Sequence, residues 1–296
     1  MVKLRRHIGS EISAQRADLI VQKFWDKDVR AWNSYWAPIF RRFARDLVSE
    51  GHITQGKIVL DIGTGTGVAA MEAAKLVRPG GLVLAIDRSK PMIRFAESNV
   101  NPRFKNVVFL TMDGGQMKFP SELFDIVLSN CGISYTMFPT VLSEAFRVLR
   151  KGGLLVLNDW HLREVQAHRI FGDILQRYRT ENPSEELRSE RVALATFEHA
   201  GSRYVNLNEL LDEVLGAGFK GIGTKYRTYR IRLRGVTEFL DMRLQRAALK
   251  RELQELPPAK RRIMINELRN GLKSFIHNGR FSFDWKIVYI RAQKPN

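Results

Sequence analysis

The sequence predicts an α/β fold: a doubly wound, mainly parallel seven-stranded sheet with helical cap inserts. Three observations carry this reading. Short, nearly continuous apolar runs recur between stretches with helical spacing, the pattern of parallel strands covered on both faces. The first such run, Ile58-Val59-Leu60-Asp61-Ile62, ends in glycines at alternate positions, Gly63, Gly65 and Gly67, the form of a strand-to-helix turn. The chain has 296 residues, 44% of them hydrophobic, enough to bury the core of one large domain with an elaborate cap.

The elements follow in order. Residues 11–50 place apolar side chains at helical spacing, with Pro38 as a break or a helix start. Lys57–Asp61 reads as a short buried strand and Val68–Val77 as a helix, closed by the turn Arg78-Pro79-Gly80-Gly81. Leu82–Asp87 (LVLAID) is a second strand, and Pro91–Asn99 a helix whose proline suits the first turn. Val107–Thr111 and Phe124–Ser129 are the third and fourth strands. Val141–Leu149 is a helix ended by Lys151-Gly152-Gly153, and Leu154–Asn158 is the fifth strand. Residues 161–203 are polar and helical, and Asn208–Gly216 is another helix. Gly218–Leu233 contains the sixth strand, residues 236–278 are helical with a break at Pro257-Pro258, and Phe281–Gln293 closes the sheet. This divides the chain into an N-terminal helical lid (1–50), a ligand-binding core (51–160), and a remainder (161–296) carrying cap inserts at 161–203 and 236–278.

Bulk composition narrows the partners. The single cysteine, Cys131, excludes an intrachain disulfide and a multi-thiolate metal site, so no metal is expected. A reducing, cytoplasmic setting follows, with no signal peptide behind the basic start MVKLRRHIGS and no run long enough to span a membrane. The net charge of +17 is spread along the chain: residues 1–160 carry 22 bases and 15 acids, residues 161–296 carry 26 and 16. Such a field favours anionic partners or serves solubility alone.

The glycine loop narrows the ligand. A pyrophosphate loop reads G-x-G-x-x-G; from Gly63 the sixth position is Val68, so that pattern fails by one residue. Asp61, directly before the loop, would repel a pyrophosphate and suit a cation. Asp87 stands twenty residues after Gly67, at a strand end, where an acid accepts hydrogen bonds from ribose hydroxyls. A ribose, little phosphate and a positive charge together describe S-adenosylmethionine.

With VLDIGTGTG, LAIDRSKPMIRFAE, FLTMDGGQMKFPSELFDIVLSN and EAFRVLRKGGLLVL in this order, the chain resembles a class I S-adenosylmethionine-dependent methyltransferase, with its Rossmann-like sheet. It is most similar to the branch that includes the ubiquinone and menaquinone biosynthesis methyltransferases. The resemblance implies roles. Asp61, Gly63, Thr64 and Gly65 would lie under the methionine moiety. Asp87 would hold the ribose, with Arg88 and Met92 beside the adenosine. Asp113 would face the adenine amino group, with Met112 and Gly114 nearby. Asn130 and Cys131 would line the fourth strand's end next to the methyl donor. Tyr35 and Trp36 would close over the cofactor.

The catalytic group is less determined. Displacement at a sulfonium needs alignment more than acid–base chemistry. His161, after the fifth strand, is either a base for the acceptor's proton or a loop histidine. Ser129-Asn130-Cys131-Gly132 lacks the Pro-Pro-aromatic motif of enzymes that methylate exocyclic amines and the Pro-Cys setting of cytosine C5 methylation. Arsenite methylation needs several thiols. Trp32, Tyr35, Trp36, Tyr135, Phe138, Trp160 and Phe171 suggest an aromatic pocket for a small or lipid-like acceptor methylated at oxygen, carbon or nitrogen. The alternative is RNA, for which Lys225–Arg234 (KYRTYRIRLR) interleaves bases with aromatics; the same stretch suits a charged edge strand. The expected partners are therefore a small-molecule acceptor, with nucleic acid as the alternative, and a second copy of the chain in a homodimer.

Overall fold

The structure is a computed structural model and describes residues 13–160, 165–202 and 206–296. The chain opens with α1 (Ala14–Ala31), widens into a π turn at Trp32–Trp36 and continues as α2 (Ala37–Glu50). Pro38 sits in the first turn of α2, where its missing N–H breaks the α ladder and accounts for the change of helix type. From α2, Phe40, Phe43, Ala44, Leu47 and Val48 are buried, the stripe expected at 3.6-residue spacing.

Next come β1 (Ile58–Ile62), α3 (Val68–Leu76), β2 (Leu82–Asp87), α4 (Lys90–Asn99), β3 (Val107–Thr111) and β4 (Phe124–Asn130). Then follow α5 (Phe138–Val148), β5 (Leu149–Trp160), α6 (Gln166–Tyr178), α7 (Glu185–Ser202) and α8 (Leu207–Gly216). The chain ends with β6 (Lys220–Leu233), α9 (Val236–Leu244), α10 (Ala247–Glu255), α11 (Pro258–Gly271), β7 (Ile276–His277) and β8 (Arg280–Gln293).

The sheet order is β3-β2-β1-β4-β5-β8-β6, with β7 paired to β8. Strands β1 to β5 are parallel, and Ile287–Gln293 of β8 runs antiparallel to Trp160–Leu154. Chain order therefore reverses between β1 and β4. In open α/β sheets ligands bind at that switch point, beyond the carboxyl ends of the strands.

Two expectations are corrected. Lys151-Gly152-Gly153 does not separate a helix from a strand. It lies inside β5, where Gly152 has φ +71° and the register against β4 shifts between Phe124 and Ile126, a bulge rather than a terminus. The insert 236–278 is not helical to its end. After α11, Asn278 (φ +49°) and Gly279 (φ +73°) turn a short hairpin between β7 and β8, as an Asn-Gly pair favours.

The chain folds into two compact units. One comprises the described residues within Met1–Ala31, Leu162–His199 and Thr228–Lys286; the other those within Trp32–His161, Ala200–Arg227 and Ile287–Asn296. The second holds β1 to β5 and one hydrophobic core, including Leu60, Ile86, Val127, Leu142, Leu155 and Ile290. The first is built on helices, with Arg246 bound to the buried Asp28 and Arg191 to the buried Glu252.

In the Lys225–Arg234 stretch, strand β6 is at the sheet edge and four of its cations are ion-paired. Lys225 reaches Glu50 at 2.7 Å and Arg227 reaches Glu50 at 3.2 Å, while Arg230 pairs with Asp284 and Arg234 with Glu238. Burial pushes the Glu50 carboxyl up, but hydrogen bonds and charge from Lys225 and Arg227 outweigh it and hold the carboxyl below its ordinary value. These charges serve neighbouring acids, which leaves the RNA reading without support. Among the described residues no helix is long and apolar enough to cross a membrane, and no cluster of His, Cys, Asp and Glu is arranged to hold a metal.

Candidate active site

The site lies in the second unit, at the carboxyl tips of β1, β2, β4 and β5. Its floor is the loop after β1. Thr64 N–H donates to Ile86 O at 3.0 Å, tying the loop to β2. Gly63 has φ +67°, and a side chain there would stand 2.3 Å from Gly132 O; a side chain on Gly132 would meet Gly63 O at 2.6 Å. The two loops flanking the switch point touch backbone to backbone, which only paired glycines allow.

Asp61 is 1% exposed, and its Oδ2 accepts from Thr64 Oγ1 at 2.6 Å and from Ala70 N–H at 2.9 Å. It thus bridges the loop and the first turn of α3, whose N-cap, Gly67, offers no side chain. Burial, reinforced by the Asp87 charge, raises its carboxyl to about 7 against the lowering effect of those hydrogen bonds. Its charge acts from beneath the loop rather than at its surface.

Asp87 is the half-buried acid of the crevice. Gly65 N–H donates to its Oδ2 at 2.9 Å and Ser89 N–H to its Oδ1 at 2.8 Å. These two amides hold the carboxylate in place at the strand tip. Arg88 is half-buried next to it in sequence, whereas Met92 is buried at 3% exposure in α4. Met112 N–H donates to Asp87 O at 3.0 Å, and Asp113 Oδ1 accepts Gly115 N–H at 2.7 Å, closing a turn. Gly114 sits against Ile62, where a side chain would come within 2.9 Å.

At the tips of β4 and β5 the polar groups interlock. Asn130 Oδ1 accepts from Asn158 Nδ2 at 2.9 Å, and Asn130 Nδ2 donates to Phe40 O at 3.3 Å. Asn158 Oδ1 accepts both Cys131 N–H at 2.8 Å and Cys131 Sγ at 3.3 Å. Cys131 is in the left-handed region (φ +52°), and desolvation together with the Asp159 charge pushes its thiol well above its ordinary value. Burial and that charge disfavour the thiolate form at this position. Next to it, Tyr135 Oη donates to Asp159 Oδ1 at 2.9 Å, and the same oxygen accepts Trp160 N–H at 2.7 Å. Asp159 is 8% exposed.

Trp32 covers the loop: a side chain built on Gly65 would meet its Nε1 at 3.7 Å. Trp32 is stacked on the buried Trp36 with ring centres 6.0 Å apart and edge-on to Phe40 at 4.7 Å. Tyr35 is half-buried in the same π turn. His161 lies outside the described residues.

The expected residues Asp61, Gly63, Thr64, Gly65, Asp87, Asn130 and Cys131 thus meet around one crevice. Sequence reasoning missed Gly132, Asn158 and the Tyr135–Asp159 pair. Two polar residues, Asn158 and Asp159, ending an otherwise apolar strand were the available signal.

The crevice fits a ribosyl sulfonium: a carboxylate fixed for a diol, a side-chain-free cradle at Gly65, and no cation in the loop Gly63–Gly67. Residues 53–206, just over half of the chain, match the family model described as "Methyltransferase domain". The chain is 30% identical over 135 residues to nocamycin O-methyltransferase of Saccharothrix syringae, covering 45% of this chain and 48% of that one. It is 28% identical over 139 residues to the ubiquinone/menaquinone biosynthesis C-methyltransferase UbiE of Blochmanniella floridana, covering 46% and 55%. The match thus spans about half the length of these relatives. The fold is shared with the crystal structure of YcgJ from Bacillus subtilis, at TM-score 0.53 and 19% identity over 86% of this chain and 99% of that one. The chain belongs to the methyltransferase-domain family and has the class I fold of S-adenosylmethionine-dependent methyltransferases.

Proposed function

We propose that the chain moves the methyl group of S-adenosylmethionine to an oxygen or carbon atom of a small aromatic or lipid-like acceptor. The observation that carries this is Asp87, held at the β2 tip by the N–H groups of Gly65 and Ser89 beside a loop in which Gly63 has no room for a side chain. When bound, the cofactor supplies a methyl group already activated on a sulfonium. Relatives named as an O- and a C-methyltransferase support the choice of acceptor atom.

The chain's own residues have four tasks. Asp87 accepts the two ribose hydroxyls and sets the ligand's register. Asp61 keeps the loop closed through Thr64 and Ala70. Trp32 covers the cradle and excludes water, which removes competing hydrolysis. Tyr135 takes the acceptor's proton on Oη while passing its own to Asp159, a relay of the kind worth roughly 10²–10⁴ in rate. His161, two positions beyond Asp159 in the sequence, is proposed as a second base.

The test is turnover with a labelled methyl donor against quinols, phenols, amines and tRNA. Label in a quinol or phenol is the expected outcome. Label in tRNA alone would refute the acceptor class.

A further inference from the structure

Helix α11 in the first unit has one face turned inward and another left in water. Met264 and Leu268 are fully buried, and a side chain on Gly271 would stand 3.2 Å from Ile174 of α6. Glu267, the one acid of the helix, is bound to Arg177 and, at 2.7 Å, to the hydroxyl of Tyr178, both at the end of α6. Elsewhere around the axis, Arg261, Arg262 and Arg269 line an open groove of about 330 Å³ with Pro258, Ile265 and Asn266. At about 100° per residue, Arg262 and Arg269 point within about 20° of each other and well away from Glu267. Among the described residues none of the three guanidiniums meets a carboxylate, unlike the cations of β6. Residues 258–280 carry six bases against that one acid. Two exposed large apolar side chains, Ile263 at 55% and Ile276 at 36%, lie in the same segment.

Like charges at helical spacing repel, and no acid on this face relieves them. Apolar side chains beside them are left in water. An anionic bilayer surface answers both: its phosphates accept paired hydrogen bonds from guanidiniums, and its acyl boundary takes up isoleucine. A nucleic acid would supply phosphate but leave the isoleucines in water, and no aromatic ring lines the groove for a base to stack on.

We infer that this face of α11 docks on an anionic lipid bilayer. Arg261, Arg262 and Arg269 hold headgroup phosphates, and Ile263 enters the interface beside them. The docking does not depend on the proposed methyl transfer.

The test is flotation of the full chain with vesicles of phosphatidylcholine alone and of an equal mixture of phosphatidylcholine and phosphatidylglycerol. Wild type is expected to bind the mixture at least about tenfold more tightly, an advantage that added salt reduces. Joint substitution Arg261→Gln, Arg262→Gln and Arg269→Gln is expected to erase the preference. Joint substitution Lys105→Gln, Lys118→Gln and Lys151→Gln removes as much charge at exposed positions elsewhere and is expected to keep it. Equal affinity of wild type for the two vesicles overturns the inference, and this comparison needs no variant. Equal loss in the two substituted proteins, both folded by circular dichroism, overturns it as well, since net charge alone would then explain binding. Capture of tRNA or inorganic phosphate by the three arginines without vesicle binding overturns the lipid assignment.

Discussion

At the scale of single residues, Asp61 and Tyr135 carry the predictions that separate fold maintenance from chemistry. Asp61 is an acid raised by burial to about 7 from an ordinary value near 3.8. The folded chain therefore holds a proton that the unfolded chain has released between these values, and stability falls as pH rises from about 4 to about 7. Asp61→Asn removes this term. The difference in Tm between that variant and wild type should thus shift in the variant's favour across that window, followed by circular dichroism; a constant difference would mean that the carboxyl is not perturbed. Tyr135→Phe deletes the hydroxyl that Asp159 holds. It should lower kcat roughly 10²-fold or more while S-adenosylhomocysteine affinity stays at the wild-type value; unaltered kcat would remove the relay, and parallel substitution of His161 by Gln shows whether that residue is the base.

At the scale of elements, the decisive feature is the contact between the β1 and β4 loops. Gly63→Ala requires a left-handed backbone for an L residue and pushes Cβ into Gly132 O. We expect a stability loss of at least about 2 kcal/mol by urea unfolding and at least tenfold weaker cofactor binding, whereas Gly56→Ala, with open space around it, should leave cofactor affinity unchanged. Equal affinity in the two variants would contradict the cradle. The strands around this contact were legible in the sequence because parallel strands are apolar throughout: Leu82–Asp87 and Val107–Thr111 match to the residue. Legibility failed where one residue type serves two geometries. Lys151-Gly152-Gly153 has the composition of a turn, but β4 and β8 on either side keep it in a strand as a bulge. Asn278-Gly279 was hidden within a charged, helix-like run, although its dipeptide is a hairpin signal. The Tyr135–Asp159 bond joins residues 24 positions apart, and no local pattern announces such a pair.

At the scale of the molecule, the +17 charge acquires a local explanation where it looked most like a nucleic-acid track, because Lys225, Arg227, Arg230 and Arg234 each meet a carboxylate. The grouping of α1, α6, α7 and α9–α11 into one unit, apart from the parallel strands, was not readable in advance, since it joins segments far apart in the chain through pairs such as Asp28–Arg246 and Glu190–Arg251. What all of this depends on is that the β1–β2 tips take a ribosyl sulfonium through Asp87. Calorimetric titration of S-adenosylmethionine into wild type and Asp87→Ala tests it most directly. The account predicts saturable one-to-one binding by wild type, weakened by at least about 100-fold in Asp87→Ala, the loss of a charge-assisted pair of hydrogen bonds. Equal affinity in the two proteins, or binding of a nicotinamide dinucleotide in place of S-adenosylmethionine, would contradict it.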